Sequence, residues 1–363
     1  MCKVLIIEDQ TDTIDRFRGL ADGTELSFIA PSDIGLTSFN PTEIESVEEQ
    51  LAKFLKNQIA EHEIDLVLLD TDLSRIRTLQ THSSYKTALR ELGMPVCRYQ
   101  KGGSPSLFEQ LPQLQRTIRD GASAIWIPRA LVSGDRTNEL VPRLIAISQG
   151  FKDILAALRC QPNLLEGKHS PTDVLAAVLG NPELSFEFLG YAAQNLVYFA
   201  QPEAEVVQNQ ISPERRYATQ LGYWLFNYII MFPGPILAED AAAAYLNFHP
   251  DEFKKHPELA DALAEAQYNG PFSRVNNYYW RFGLINILDK NNGDIQKNDA
   301  FSCLDLARID TDNPASVAYI CMISGKTITE EQAAINPDWV PAGATEAKID
   351  EEALDELGPL AGI

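Results

Sequence analysis

Positive charge is scarce in this chain of 363 residues. Only 30 Lys and Arg residues stand against 51 Asp and Glu residues, which gives a formal net charge of −21. Charge of this sign and size repels phosphate backbones and anionic membrane surfaces. The composition therefore disfavours nonspecific binding to nucleic acid, and we expect neither DNA nor a membrane as the main partner.

Several common functional signatures are also missing. The 5 cysteines include no Cys-x-x-Cys spacing, so neither a disulfide framework nor a zinc ribbon is indicated. No apolar run reaches the ~18 residues that a membrane helix needs, and the first residues do not have the pattern of a signal peptide. A P-loop and a Gly-x-Ser-x-Gly motif are absent as well. We therefore expect a cytoplasmic protein that is not an enzyme.

The chain does contain carboxylates at the ends of two apolar runs. Glu8 and Asp9 follow the run 4–7, and Asp70 follows the run 66–69. Continuous Val, Ile and Leu residues are typical of buried parallel strands. In open α/β sheets, functional groups gather beyond the carboxyl ends of such strands. If the two strands are neighbours, the three carboxylates meet, and a hard cation such as Mg²⁺ would hold them together.

These residues carry a resemblance to a known family. Residues 1–135 resemble a response-regulator receiver domain of two-component signalling, with Glu8 and Asp9 as the acidic pair and Asp70 as the phospho-acceptor. Asp72 takes the position whose backbone carbonyl usually completes the metal site in that family. The resemblance implies a flavodoxin-like doubly wound α/β domain that binds Mg²⁺ through these four residues and accepts a phosphoryl group on Asp70.

The chain departs from the family pattern at two positions. The family has Ser or Thr at the end of the fourth strand, whereas this chain has Tyr99 one step earlier and then Gln100-Lys101. The family also has Lys before Pro after the fifth strand, whereas this chain reads Pro128-Arg129. Arg129 is the candidate substitute in sensing phosphate, although a planar guanidinium does not replace an ammonium freely. The domain either accepts phosphate without the usual switch or is a pseudo-receiver that only binds partners.

The remaining chain is predicted to be mainly helical. Residues 136–160 have the apolar spacing of a linker helix, and strand-like runs are rare across 161–335. We predict a helical output or interaction domain there. Residues 336–363 combine Pro, Gly and acidic residues, which is typical of a tail that is disordered or docks onto the body.

Residues 235–289 have a second, weaker resemblance, to an excisionase-like winged-helix module. It is based on an Ala-rich helix that precedes a tight turn, followed by a wing at about 270–282 and a closing helix. A DNA reader needs Arg or Lys facing phosphates. The candidate recognition helix sets Asp251 and Glu252 beside Lys254 and Lys255. We therefore favour a protein-interaction module over a DNA reader.

Three hypotheses for the function follow from these patterns. In the first, a divergent response regulator accepts phosphate on Asp70 from a histidine kinase or another signalling protein and acts through protein contacts. In the second, a pseudo-receiver scaffold that is never phosphorylated serves a bacterial stress or defence system. In the third, a transcription regulator reads DNA through the segment 235–289.

Overall fold

The computed structural model describes residues 1–73, 79–103, 106–166, 169–192, 211–297 and 301–358. The chain divides into two compact units. The first comprises Met1–Ser104, Asp120–Val174 and Leu196–Trp224, and the second comprises Pro105–Arg119, Leu175–Asn195 and Leu225–Ile363. The domain limits predicted at 135, 160 and 335 stay a prediction. Within the described ranges, no helix is long and apolar enough to cross a bilayer.

A five-stranded parallel sheet forms the centre of the first unit. Its strands are β1 (Cys2–Ile7), β2 (Leu26–Ile29), β3 (Leu66–Asp70), β4 (Val96–Tyr99) and β5 (Ile125–Trp126), in the order β2-β1-β3-β4-β5. All four pairings are parallel. The predicted α/β class with a parallel sheet is confirmed, and the strand order is compatible with flavodoxin-like doubly wound sheets.

Of the 14 described α-helices, 6 lie before residue 161 and 8 lie after it, and the strands of the later part are short. The described α-helices are, in chain order, α1 (Thr11–Ala21), α2 (Val47–His62), α3 (His82–Leu92), α4 (Leu107–Asp120), α5 (Arg129–Val132), α6 (Leu140–Cys160), α7 (Pro171–Val178), α8 (Leu184–Leu189), α9 (Pro213–Trp224), α10 (Glu239–Tyr245), α11 (Glu252–Lys255), α12 (Glu258–Ala262), α13 (Arg281–Lys290) and α14 (Glu351–Leu357). Helix α9 continues as a π-helix over Leu225–Ile230.

Helices cover both faces of the sheet, which explains why its strands are apolar throughout. On one face, Leu5 and Ile7 of β1 belong to a buried cluster with residues of α2 and α3. Side chains alternate along a strand, so Val4 and Ile6 face the opposite side. On that side Phe17 of α1 packs edge-on against Tyr99, with ring centroids 5.8 Å apart. Strands buried on both faces read as continuous apolar runs.

Helix α9 packs against the amino ends of the strands in the first unit. The Tyr223 hydroxyl accepts a hydrogen bond from the N–H of Val96 at 2.7 Å and donates to the carbonyl of Met94 at 3.2 Å. The Thr219 hydroxyl donates to the carbonyl of Gly93 at 2.9 Å. Gly93 ends α3 with a φ of 68°, in the left-handed region that favours glycine.

The second unit combines short helices with two small antiparallel ribbons. Strand β6 (Ile236–Ala238) pairs with β7 (Tyr278–Trp280), and β8 (Tyr319–Ile320) pairs with β9 (Thr327–Ile328). Arg281 joins separate segments of this unit, because its guanidinium lies 3.1 Å from Glu187 and 3.0 Å from Glu346.

The acidic tail docks onto the second unit as far as it is described. Ile349 is buried there, and its carbonyl accepts a hydrogen bond from the N–H of Ala334 at 2.9 Å. Helix α14 lies in this tail and carries four of its acidic residues, Glu351, Glu352, Asp355 and Glu356.

Within 235–289, the Ala-rich helix is α10 and the closing helix is α13, and β7 lies inside the predicted wing. The winged-helix resemblance itself stays a prediction.

The close approach of α9 to Gly93 generates a stability prediction. A Cβ added to Gly93 would lie 2.8 Å from the Cβ of Arg216, whereas a Cβ on Gly23, which has a similar φ of +75°, would meet nothing within 4 Å. We expect Gly23→Ala to cost about 1 kcal/mol through backbone strain alone. Gly93→Ala should cost about 1–3 kcal/mol more because α9 must shift. Denaturant unfolding of both variants measures the difference, and equal losses would show that α9 does not pack there.

Candidate functional site

Three carboxylates converge at the carboxyl edge of the sheet. In the register of β1 with β3, Ile7 lies opposite Leu69, so Glu8 and Asp70 leave neighbouring strands side by side. Glu8, Asp9 and Asp70 each offer an oxygen, and these oxygens all lie within 4.8 Å of one another. The exposed fractions are 1% for Glu8, 8% for Asp9 and 1% for Asp70. Buried like charges this close require a cation or protons.

Lys101 supplies part of that positive charge. Its Nζ lies 2.7 Å from Oε2 of Glu8 and 3.2 Å from Oδ2 of Asp70. The lysine follows β4, which pairs with β3, so its main chain leaves the sheet at the same edge as Asp70. Lys101 thus brings one positive charge to a group of three carboxylates.

Glu8 is held by three donors. Its Oε2 accepts a hydrogen bond from the Tyr99 hydroxyl at 2.6 Å, and its Oε1 accepts from the N–H of Gln10 and from Lys101, both at 2.9 Å. Burial raises the pKa of Glu8, but the hydrogen bonds from Lys101, Tyr99 and Gln10 together outweigh burial and hold this pKa below its ordinary value. Glu8 is therefore a fixed anion at neutral pH.

Tyr99 remains a hydrogen-bond donor throughout the physiological range. Burial, together with the charges of Glu8 and Asp70, raises the pKa of its phenol well above 10. This hydroxyl is the one that the sequence places one step before the family's Ser or Thr position. In the structure it lies inside the carboxylate pocket.

The pKa of Asp70 is shifted in the opposite direction from that of Glu8. Burial, the largest effect, and the charge of Glu8 raise the pKa of Asp70, which lies at about 6 once all effects are combined. The N–H of Asp72, which donates to Oδ1 at 3.0 Å, and the ammonium of Lys101 limit that rise. At neutral pH Asp70 is mostly ionised, although ionisation is costlier there than in water.

The other predicted site residues, Asp72 and Arg129, lie close by and have their own described contacts. The side chain of Asp72 is exposed, and the described contact of this residue with the pocket is its N–H donation to Asp70. Metal binding through its carbonyl stays a prediction. Arg129 donates to the side chain of Gln100 at 2.7 Å and to the carbonyl of Gly103 at 3.4 Å. It therefore holds the loop after β4, and its role in sensing phosphate stays a prediction.

Lys101 is the site residue that the sequence interpretation missed. The receiver resemblance places its lysine after the fifth strand, where this chain has Arg129. A usable signal was present, since Lys101 comes two residues after the end of β4 and parallel strands end at one edge.

The donor set fits a small divalent cation. Three buried carboxylates provide hard oxygen ligands, which Mg²⁺ and Ca²⁺ prefer, and the ammonium of Lys101 stands in as a cation among them. Across the described ranges, this is the one group of three or more metal-ligating side chains close enough to share an ion. A divalent cation at this position would be held by Glu8, Asp9 and Asp70.

Comparisons of this chain with protein-family models, with curated proteins and with solved structures found no match.

The lysines of the possible DNA-reading helix are engaged by neighbouring acids. Lys254 lies 3.0 Å from Asp251, and Lys255 lies 2.6 Å from Glu252. Phosphate contacts would have to compete with these ion pairs, which further disfavours DNA as a partner.

The raised pKa of Asp70 predicts how stability depends on pH in cation-free buffer. The folded-state pKa of about 6 lies above the ordinary value of 3.8, so the stability linked to this group is greatest below pH 4 and is lost as the pH rises through 6. Asp70→Asn removes the ionisation. It should gain about 1–3 kcal/mol relative to the natural protein between pH 4 and pH 8. Urea unfolding at a series of pH values measures this gain, and a constant difference would contradict the assignment.

Proposed function

We propose that the first unit is a divergent receiver domain of the flavodoxin-like class, and that Asp70 accepts a phosphoryl group. One observation carries the proposal: the buried convergence of Glu8, Asp9 and Asp70, with Lys101, at the carboxyl edge of a parallel sheet. Carboxylates at such an edge are suited to a metal-assisted phosphoryl transfer. The strand order β2-β1-β3-β4-β5 agrees with this class.

The proposed reaction is a displacement at phosphorus. A carboxylate oxygen of Asp70 forms the new P–O bond, while the P–N bond of a phosphohistidine donor breaks and the imidazole keeps the electron pair. The ionised form of Asp70 is the nucleophile, so its pKa of about 6 leaves it reactive at neutral pH. Bound Mg²⁺ would offset the negative charge of the transferred group. The donor is a histidine kinase or another signalling protein.

The surrounding side chains orient the pocket. Tyr99 and the N–H of Gln10 fix the two oxygens of Glu8, so this carboxylate cannot rotate away from its neighbours. The N–H of Asp72 fixes Oδ1 of Asp70. The other oxygen, Oδ2, forms an ion pair with Lys101. Within the described part of the chain, Oδ2 accepts no hydrogen bond besides that contact. Oδ2 is therefore the oxygen that we assign as nucleophile.

A pseudo-receiver scaffold is the alternative, and the ion pairs of Lys101 favour it. An ammonium that bridges Glu8 and Asp70 partly neutralises the pocket without any metal. In that case the domain binds partners in a bacterial stress or defence system and is never phosphorylated. In both proposals the second unit transmits its effect through protein contacts.

Phosphoryl analogues separate these two possibilities. With Mg²⁺ and beryllofluoride, the natural protein should show chemical-shift changes around Asp70, and acetyl phosphate should give a phosphorylated species by intact mass spectrometry. Asp70→Asn should abolish both signals because it removes the nucleophile.

Asp72→Asn is the matched control. It removes the same charge two residues away and keeps the main-chain N–H that holds Asp70, so both signals should persist. Absence of any response in the natural protein would reject phosphorylation and support the scaffold.

A further inference from the structure

The ammonium of Lys101 occupies the position that a bridging cation needs. It contacts Oε2 of Glu8 at 2.7 Å and Oδ2 of Asp70 at 3.2 Å, so it bridges two of the three carboxylates that form the candidate metal site. We propose that Lys101 is an intramolecular competitor of the divalent cation. The carboxylates exchange one for the other, and the cation enters only when the lysine leaves.

Distance and charge both oppose the binding of a divalent cation while the Lys101 ammonium remains in the pocket. A divalent cation binds carboxylate oxygens at about 2.1–2.5 Å, which places it within the space between the oxygens that the ammonium now contacts. In a buried pocket, screening is weak and a +1 and a +2 charge only a few ångströms apart repel strongly. Glu8 and Asp70 have exposed fractions of 1% each, so water offers little relief.

The loop that carries Lys101 is fixed on both sides of the lysine. Gln100 accepts a hydrogen bond from Arg129 at 2.7 Å. The N–H of Gly102 donates to the Ser133 hydroxyl at 3.0 Å, and that hydroxyl donates back to the Gly102 carbonyl at 3.1 Å. Gly102 has a φ of 129°, which a residue with a side chain rarely adopts. The exchange is therefore a swing of the flexible lysine stem over a stationary main chain.

The direction of that swing is towards solvent. The Lys101 side chain is 26% exposed even in the paired state, so its stem already lies at the mouth of the pocket. If Asp70 is the phospho-acceptor, the displaced ammonium stays within reach of the incoming phosphoryl oxygens. This last step rests on the proposed function and gives an order of events in which the cation binds first and the phosphoryl group second.

Lys101→Met tests the competition directly, because methionine keeps much of the stem and removes the charge. Calorimetric titration with Mn²⁺ or Mg²⁺ at pH 8, above the pKa of Asp70, should show affinity at least about tenfold tighter than in the natural protein, since no ammonium has to be displaced. Lys152→Met is the matched control. It removes a lysine that pairs with Asp65 at 2.9 Å in the same unit, and it should leave the cation affinity unchanged.

A second measurement uses the natural protein and does not depend on the variant folding well. Acylation of lysines by acetic anhydride, followed by peptide mass spectrometry, should be severalfold faster at Lys101 when Mn²⁺ is present, because the amine leaves its carboxylates. Lys53, an exposed lysine on α2 in an ion pair with Glu45, should react at the same rate with and without the cation.

Unchanged or weaker cation affinity in Lys101→Met, or acylation of Lys101 that Mn²⁺ does not accelerate, would overturn the competition. Neither readout requires phosphorylation. A failure of Asp70 to accept phosphate would therefore leave the exchange standing, whereas a failure of the exchange would leave phosphorylation to be judged by its own test.

Discussion

Burying three carboxylates at one edge of a parallel sheet imposes a requirement for positive charge. Isolated ionised acids are too costly in a dry pocket, so they must be protonated, hydrogen-bonded or paired. In the first unit, hydrogen bonds and ion pairs fill this need at neutral pH, and protonation of Asp70 adds to them near pH 6. Glu8 is kept ionised by Tyr99, Gln10 and Lys101, whereas Asp70 has a pKa raised to about 6, close enough to neutrality to exchange its proton. We propose that the pocket accepts a divalent cation in place of the ammonium.

The sheet makes this arrangement possible. Because β1 and β3 are adjacent and in parallel register, the residues that follow each strand meet at one edge, and β4 adds Tyr99 and Lys101 on the other side of β3. The same strand arrangement places apolar side chains on both faces of the sheet, where helices bury them. The buried core of the sheet and the carboxylates at its edge are therefore consequences of one strand order, and a slip of one residue would turn every side chain of a strand to the opposite face.

Sequence patterns predicted the sheet and its acidic edge well, because continuous apolar runs and strand-end carboxylates are local signals. They could not show the partners of Glu8, since Tyr99 and Lys101 lie more than 90 residues away and only the strand order brings them together. Arg129 follows β5, and its described hydrogen bonds are made to Gln100 and Gly103. Its role in sensing phosphate stays a prediction. Helix α9 is likewise far in the sequence from strand β4. Local periodicity therefore could not predict that the two pack together.

The most direct test of the proposed exchange between Lys101 and a divalent cation is anomalous diffraction from crystals soaked in Mn²⁺. The pocket should show an anomalous peak within coordination distance of Glu8, Asp9 and Asp70, with the Lys101 ammonium moved off Glu8. A pocket without a peak at saturating Mn²⁺, and with Lys101 still bridging Glu8 and Asp70, would contradict it.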